Sequence, residues 1–291
     1  MLVRILTGVV GIPLAVLLIF VPHGLPFAIA MGVLSVLGAL EFYKEVSKIG
    51  ARPVKWAGLL AVLFFVFSAR TFRYSEGTTI GAIFPTALTL LLILSFCVEM
   101  LRRERAPIIN VGATLFGAIY VGWLMSHLVV LRGVWLEGLP TTPRVVQVGR
   151  FEPEIGACLV MMVFLCTWAC DTSAYFFGKA FGKTRIAPNL SPNKTIEGSI
   201  AGLVGALVVA MISGWVIHLP WYHSLAMGVV FGILCQLGDL SESAIKRELK
   251  IKDFGTLVPG HGGVLDRFDS LLFTGPAAYY YAVLFLQHWP K

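Results

Sequence analysis

Nine apolar runs decide what this chain can fold into. They lie near residues 5–21, 25–40, 54–68, 78–101, 111–131, 156–177, 197–217, 222–237 and 270–288. A helix needs about 20 apolar residues to cross the hydrocarbon of a bilayer, and a helix satisfies its own backbone hydrogen bonds there. The runs at 25–40, 54–68 and 222–237 are the short ones. A chain of 291 residues could otherwise make one or two soluble domains. A mean hydropathy of +0.82 excludes that. The expected fold is an all-α polytopic membrane protein of about nine transmembrane helices with a polar cavity facing the cytoplasm. Arg4 followed by an apolar run ending near Phe20 also has the outline of a signal peptide. No small-x-small cleavage site follows, so the run is read as a first membrane segment. Pro13 and Pro85 fall within or near runs, where neighbouring helices can satisfy the freed carbonyls. Gly198, Gly202 and Gly205, and Gly228 with Gly232, have the spacing of close helix–helix contact.

Lysine and arginine set the orientation. The segments 41–55, 102–110, 178–196 and 238–269 carry 16 of them, against 5 in 21–24, 69–77, 132–155 and 218–221. Basic loops stay in the cytoplasm, so the first set is inside. With nine spans the N-terminus is cytoplasmic and the C-terminus outside. The segment 132–155 is then the long outer loop, with a short strand expected around Val145–Val148. The same bias explains the net charge of +7 and the pI near 9.3 without nucleic acid. No interleaved aromatic and basic motif suggests otherwise. The five cysteines at 97, 158, 166, 170 and 235 all lie in apolar runs and lack metal-ligand spacing, so they read as small buried residues. Ionisable groups divide the chain into an N-terminal scaffold (1–110), a middle span with the outer loop (111–155) and a C-terminal catalytic region (156–291).

Positions 239–269 break the apolar pattern with four aspartates, two glutamates, three lysines, two arginines and a histidine. Beside lipid each such charge must be paired, wetted or bound to a ligand. If the helix ending near Leu237 continues, Asp239, Ser243, Lys246 and Lys250 share one stripe by i, i+4, i+7, i+11 geometry. Asp266 and Asp269 are three apart before the last run, a spacing able to hold one or two metal ions. Capping alone needs one aspartate. Asp239, Asp266 and Asp269 are hard oxygen ligands, and Lys246, Arg247, Lys252 and Arg267 suit phosphate oxygens. Glycines at 255, 260, 262 and 263 let backbone approach a ligand. Metal carboxylates, phosphate cations and a glycine-rich loop together point to phosphoryl or nucleotidyl transfer. His261 is read as holding the loop or touching phosphate rather than moving a proton. Upstream, Asp171 lies inside a membrane run, which makes it a functional candidate by default. The loop 182–198 is basic, and Lys194 and Thr195 near the next helix start could meet phosphate there. Gly182-Lys183-Thr184 is not a P-loop, because Phe177 stands where the first glycine is needed. Glu99 and His127 sit in apolar runs without an obvious partner, and Arg102, Arg103 and Arg105 read as orientation charges or anionic-lipid contacts.

The segment Ser243–Asp269 resembles the signature of the phosphatidate cytidylyltransferases, also called CDP-diacylglycerol synthases. Its elements stand in order: Ser243-x-Ile245-Lys246-Arg247, four residues, Lys252-Asp253-x-Gly255, then Pro259-x-His261-Gly262-Gly263-x-x-Asp266-Arg267-x-Asp269. Residues 171–178 and 191–198 resemble the family as well. The resemblance covers roughly 165–270 and is general before that. It implies that CTP and phosphatidic acid give CDP-diacylglycerol and pyrophosphate. It implies magnesium, with a second cation, on Asp239, Asp266 and Asp269, and Asp171 tuning or joining the catalytic group. Its substrate-binding residues are Lys246, Arg247, Lys252, Asp253, His261, Gly262, Gly263 and Arg267, with Lys183, Arg185 and Lys194 beside them. The expected partners are the two substrates and membrane lipid, without nucleic acid, and a homodimer fits the family. CTP is soluble and phosphatidic acid keeps its tails in the bilayer, so the site belongs at the cytoplasmic boundary of the inner membrane. Two rival readings are a transporter with a buried ion-coupled site and a cytidylyltransferase acting on a different lipid phosphate. The halves show no repeat of the kind transporters favour. A polyprenol kinase does not fit the signature, and a CDP-alcohol phosphotransferase lacks its Asp-Gly-x-x-Ala-Arg opening here.

Overall fold

Helices follow the apolar runs closely. The computed structural model describes residues 2–71, 78–133, 145–255 and 262–286, with side chains left out at 2–8, 70–71 and 78–83. Helix α1 (Leu2–Phe20) meets a single 3-10 turn at Pro22–Gly24, where His23 and Gly24 take positive φ and reverse the chain into α2 (Leu25–Lys48). Then come α3 (Lys55–Thr71) and α4 (Thr78–Met100). Helix α5 (Pro107–Gly117) passes through a π-helical segment, Ala118–Trp123, into α6 (Leu124–Arg132). Helix α7 (Ile155–Phe181) leads to a hairpin of β1 (Arg185–Ala187) and β2 (Ser191–Thr195), paired antiparallel. The chain closes with α8 (Ile196–Val216), α9 (Trp221–Glu248) and α10 (Leu265–Phe285).

Five helical stretches are long and apolar enough to cross a membrane: Pro22–Lys48, Pro107–Arg132, Ile155–Phe181, Ile196–Val216 and Trp221–Glu248. Shorter apolar helices lie at Val9–Phe20, Lys55–Ala69 and Phe84–Met100. With α10, and with the π-containing stretch counted once, the described residues hold nine helices in all, five of them long and apolar enough to cross a membrane. This is an all-α, multi-pass membrane architecture.

Several helix boundaries depart from the apolar runs: α2 continues past residue 40 to Lys48, and α10 begins at Leu265, ahead of the run at 270. Helix α7 continues four residues beyond Phe177, because Gly178, Lys179 and Ala180 do not oppose helix as proline would. Helix α9 continues past Leu237 to Glu248, so the first third of the polar cluster is helical and not loop. In the segment 145–154, where a short strand is expected, Val145 bridges Glu154 and Val148 bridges Phe151, with the tight turn at Gly149, whose φ is +63°. Residues 134–144 lie outside the described ones.

The chain forms two compact units. The first is Met1–Val130 with Leu249–Phe268, and the second is Leu131–Glu248 with Asp269–Lys291. The division cuts the chain differently from the ionisable groups, since the segment 249–268 belongs with the N-terminal helices. In the first unit, Phe27, Phe42, Tyr43, Phe65 and Phe254 are buried. The Tyr43 hydroxyl donates to the carbonyl of Thr114 at 2.7 Å. Glu99 and Asn110 are buried too, and the partners of Glu99 all come from the segment that follows it. Glu99 Oε1 accepts from Asn110 Nδ2 at 2.8 Å and from the Ala106 amide at 2.7 Å, while Arg102 pairs with Oε2 at 2.8 Å. His127 Nδ1 lies 2.8 Å from the carbonyl of Trp123.

In the second unit α7, α8 and α9 lie closest together. The small residues explain it. A Cβ on Gly205 would sit 2.3 Å from Ser173 Oγ, and one on Gly228 would sit 3.0 Å from the Leu207 Cα. Backbones that approach this closely gain dispersion contact, the main attraction available between helices in lipid. A buried ion pair, Arg132 to Glu154 at 2.5 Å, joins the end of α6 to the start of α7.

Candidate active site

The candidate site in the second unit is built on the extension of α9 beyond its apolar part. Asp239, Glu242, Ser243 and Lys246 follow one another at helical spacing on this extension. Gly238 sits one residue earlier, where a Cβ would come within 2.7 Å of the Asp269 carbonyl and 3.0 Å of the Ser270 Cα. The absent side chain lets α9 and α10 touch backbone to backbone. That contact brings carboxylates from two helices together. Asp239, Glu242 and Asp269 each offer an oxygen, and the three oxygens lie within 4.8 Å of one another. Glu242 is buried and the aspartates are half-buried.

Two lysines answer this charge. Lys194 Nζ, at the end of β2, is 2.7 Å from Asp239 Oδ2, with side chains 22 % and 35 % exposed. Lys246 pairs with Glu242 one turn away on α9. The charge of Asp269 also feels Asp239 and Asp171 as like charges and Lys246 as an opposite one. Ser243 Oγ and the Ser270 amide donate to Asp239 and Asp269 at 3.5 and 2.7 Å. Carboxylates this close repel one another strongly, and a bound cation relieves that repulsion. An all-oxygen donor set of this kind suits a hard cation such as magnesium.

The hairpin is held in place by its own helix. Thr195 caps α8, its Oγ1 accepting from the Gly198 amide at 3.2 Å, and Glu197 accepts from the Lys183 and Thr184 amides at 3.1–3.3 Å. Lys183 and Arg185 are exposed. Arg247 donates from Nε to the carbonyl of Leu190 at 3.0 Å, so it secures the hairpin tip. Asp171 on α7 is exposed and accepts from Cys235 Sγ at 3.4 Å.

The glycine-rich loop of the signature lies in the first unit. Asp266 Oδ2 accepts from the Gly263 amide at 2.7 Å and the Phe254 amide at 2.9 Å. One oxygen therefore ties both ends of the loop. Glu41 on α2 accepts from the Val264 and Leu265 amides, each at 3.0 Å, at the positive end of α10. A Cβ on Gly255 or Gly263 would lie 2.4 or 2.5 Å from the Glu41 carboxylate, so both glycines clear a seat for it. Gly262 takes φ +87°, which requires glycine in practice. Lys252, Asp253 and Arg267 are exposed. His261 lies outside the described residues.

Of the three aspartates expected as ligands, Asp239 and Asp269 come together with Glu242, while Asp266 is engaged by loop amides. Glu242 and Glu41 were missed by sequence reasoning. Glu242 carried a signal, three residues after Asp239 on a continuing helix. Glu41 carried none, since its partners lie 223 and 224 residues away.

Residues 2–285 match the cytidylyltransferase family. The chain belongs to this family. It is 34% identical to a phosphatidate cytidylyltransferase of Synechocystis sp., over 97% of both chains. It is 35% identical to one of Bacillus subtilis, again over 97% of both. A chloroplastic phosphatidate cytidylyltransferase of Arabidopsis thaliana is 32% identical over 92% of this chain and 69% of its own length. The family match takes in both compact units, and so both the carboxylate cluster and the glycine-rich loop.

Proposed function

We propose that this member of the family joins CTP to phosphatidic acid, giving CDP-diacylglycerol and pyrophosphate for phospholipid synthesis. The observation that carries the reading is the meeting of Asp239, Glu242 and Asp269 between two lysines. Full-length similarity to phosphatidate cytidylyltransferases supports the choice of substrates. In this reaction a phosphatidate oxygen attacks the α-phosphorus of CTP, and the bond to pyrophosphate breaks.

Asp239, Glu242 and Asp269 would hold magnesium, with a second cation beside it. Bound there, the metal would neutralise the repulsion between two anionic substrates and the charge of the leaving pyrophosphate. Lys194 and Lys246, paired with Asp239 and Glu242, would be available to phosphate oxygens with the metal bound. Asp171 adds a further negative charge to the cluster. Lys183 and Arg185, in the same unit as the carboxylates, are exposed and offer cations to the triphosphate. Asp266 and Glu41 serve by anchoring the glycine-rich loop. The bias of 16 basic residues against 5 supports a cytoplasm-facing site in the inner membrane, where soluble CTP can reach a lipid headgroup.

The test is incubation of the purified protein with labelled CTP, phosphatidic acid and magnesium. Labelled CDP-diacylglycerol and pyrophosphate should appear together, and only with both substrates present. Failure to release pyrophosphate would return the carboxylate cluster to an ion-coupled transport role.

A further inference from the structure

A second group of metal-ligating side chains lies in the second unit, beside the all-oxygen cluster but made of different residues. Cys170 and Asp171 are neighbours on α7, and Cys235 faces them from α9. One ligand atom from each of the three lies within 4.8 Å of the other two. Both thiols are free and fully buried, whereas Asp171 is exposed. Cys235 hydrogen-bonds with Cys170 and Ser270. Cys170 Sγ lies 3.8 Å from the carbonyl of Gly232, and Cys235 Sγ lies 3.9 Å from that of Thr167 and 3.4 Å from Asp171 Oδ1. The proposed enzymatic reaction uses neither sulfur.

Two sulfurs and one carboxylate make a donor set unlike the oxygen cluster nearby. Thiolates select soft or borderline cations, while magnesium keeps to oxygen. Zinc binds sulfur at about 2.3 Å and oxygen at about 2.0–2.2 Å in a tetrahedron, so donors grouped as these are can close on one ion with small side-chain rotations. Three protein ligands leave a fourth position for water, and the exposed Asp171 side provides the entry. Two helices supply the ligands, and the glycine-lined contacts of α8 with α7 and α9 hold that unit together.

We propose that Cys170, Cys235 and Asp171 form a binding site for one thiophilic divalent cation, zinc or cadmium, distinct in chemistry from the magnesium site. Binding displaces the two thiol protons to solvent. It also engages Asp171, whose charge acts on Asp269. The sequence offered no hint of the pair, because 65 residues separate the two cysteines and neither belongs to a spaced motif.

Cadmium is the probe, added to the purified full-length protein in detergent with magnesium in large excess. One cadmium per chain should bind, with thiolate-to-cadmium ultraviolet absorption that magnesium does not displace. The absorption should vanish in Cys170→Ala/Cys235→Ala and persist in Cys97→Ser/Cys158→Ser/Cys166→Ser. No band in the wild-type protein, or an undiminished band in the first variant, overturns the site. If the first variant does not fold, cadmium-113 resonance of the second decides. A shift for mixed sulfur and oxygen ligands supports the site, and an all-oxygen shift or no bound signal refutes it. No substrate enters these measurements, so they stand or fall independently of the cytidylyltransferase reading.

Discussion

Replacing Glu41 by alanine removes the acceptor of two amides that begin α10 and open the last part of the signature loop. Both hydrogen bonds are 3.0 Å long and charge-assisted, and the carboxylate stands at the positive end of a helix. A hydrogen bond to a charged group contributes about 1.5–3 kcal/mol when well buried. Glu41 is half-buried, which reduces that, and water can reach the amides in part. A local loss of about 2–3 kcal/mol is the reasonable figure. Tenfold per about 1.4 kcal/mol converts this to faster hydrogen exchange of the Val264 and Leu265 amides by about 30–150-fold. Turnover should fall by about 10–100-fold, the scale set by a misplacement of about 1 Å, with the remaining helices intact. Gly263→Ala should do the same for a different reason, since its Cβ would stand 2.5 Å from Glu41 Oε2 and push the carboxylate off its amides. The two changes act on one interaction, so the double variant should lose little more than either single one. Unchanged exchange at Val264 and Leu265 in Glu41→Ala, or full additivity in the double variant, would refute this account of the loop.

Asp239→Asn and Asp269→Asn should each abolish turnover while the detergent-purified protein keeps its helical circular dichroism; near-normal activity in both removes the metal assignment. Lys194→Gln frees the Asp239 carboxylate from an ammonium 2.7 Å away. It should lower the magnesium concentration needed for half-maximal activity while reducing turnover, and an increased magnesium requirement would contradict the pairing. Gly238→Ala puts a methyl against the Asp269 carbonyl, so α9 and α10 must part. A cost of about 1–3 kcal/mol in stability and about 100-fold in turnover is expected, checked by thermal unfolding and pyrophosphate release. His261→Asn, judged on sequence, should cost less activity than either aspartate change.

The sequence by itself determined the all-α membrane architecture, because apolar runs of this length admit little else. The signature between Ser243 and Asp269 carried the resemblance to the family, and charges that costly in an apolar chain marked the region as a candidate site. Helical spacing even placed Asp239 and Lys246 on one stripe once α9 was allowed to continue. Only the tertiary structure decided which carboxylates meet. Asp269 joins Asp239 and Glu242 because Gly238 lets two backbones touch, whereas Asp266, three residues earlier, is taken up by the Phe254 and Gly263 amides. Arg247, one residue from Lys246, turns to the hairpin instead. Glu41 and the Cys170–Cys235 pair were invisible for the same reason. Periodicity says which side chains share a face of their own helix, and only packing decides what that face meets.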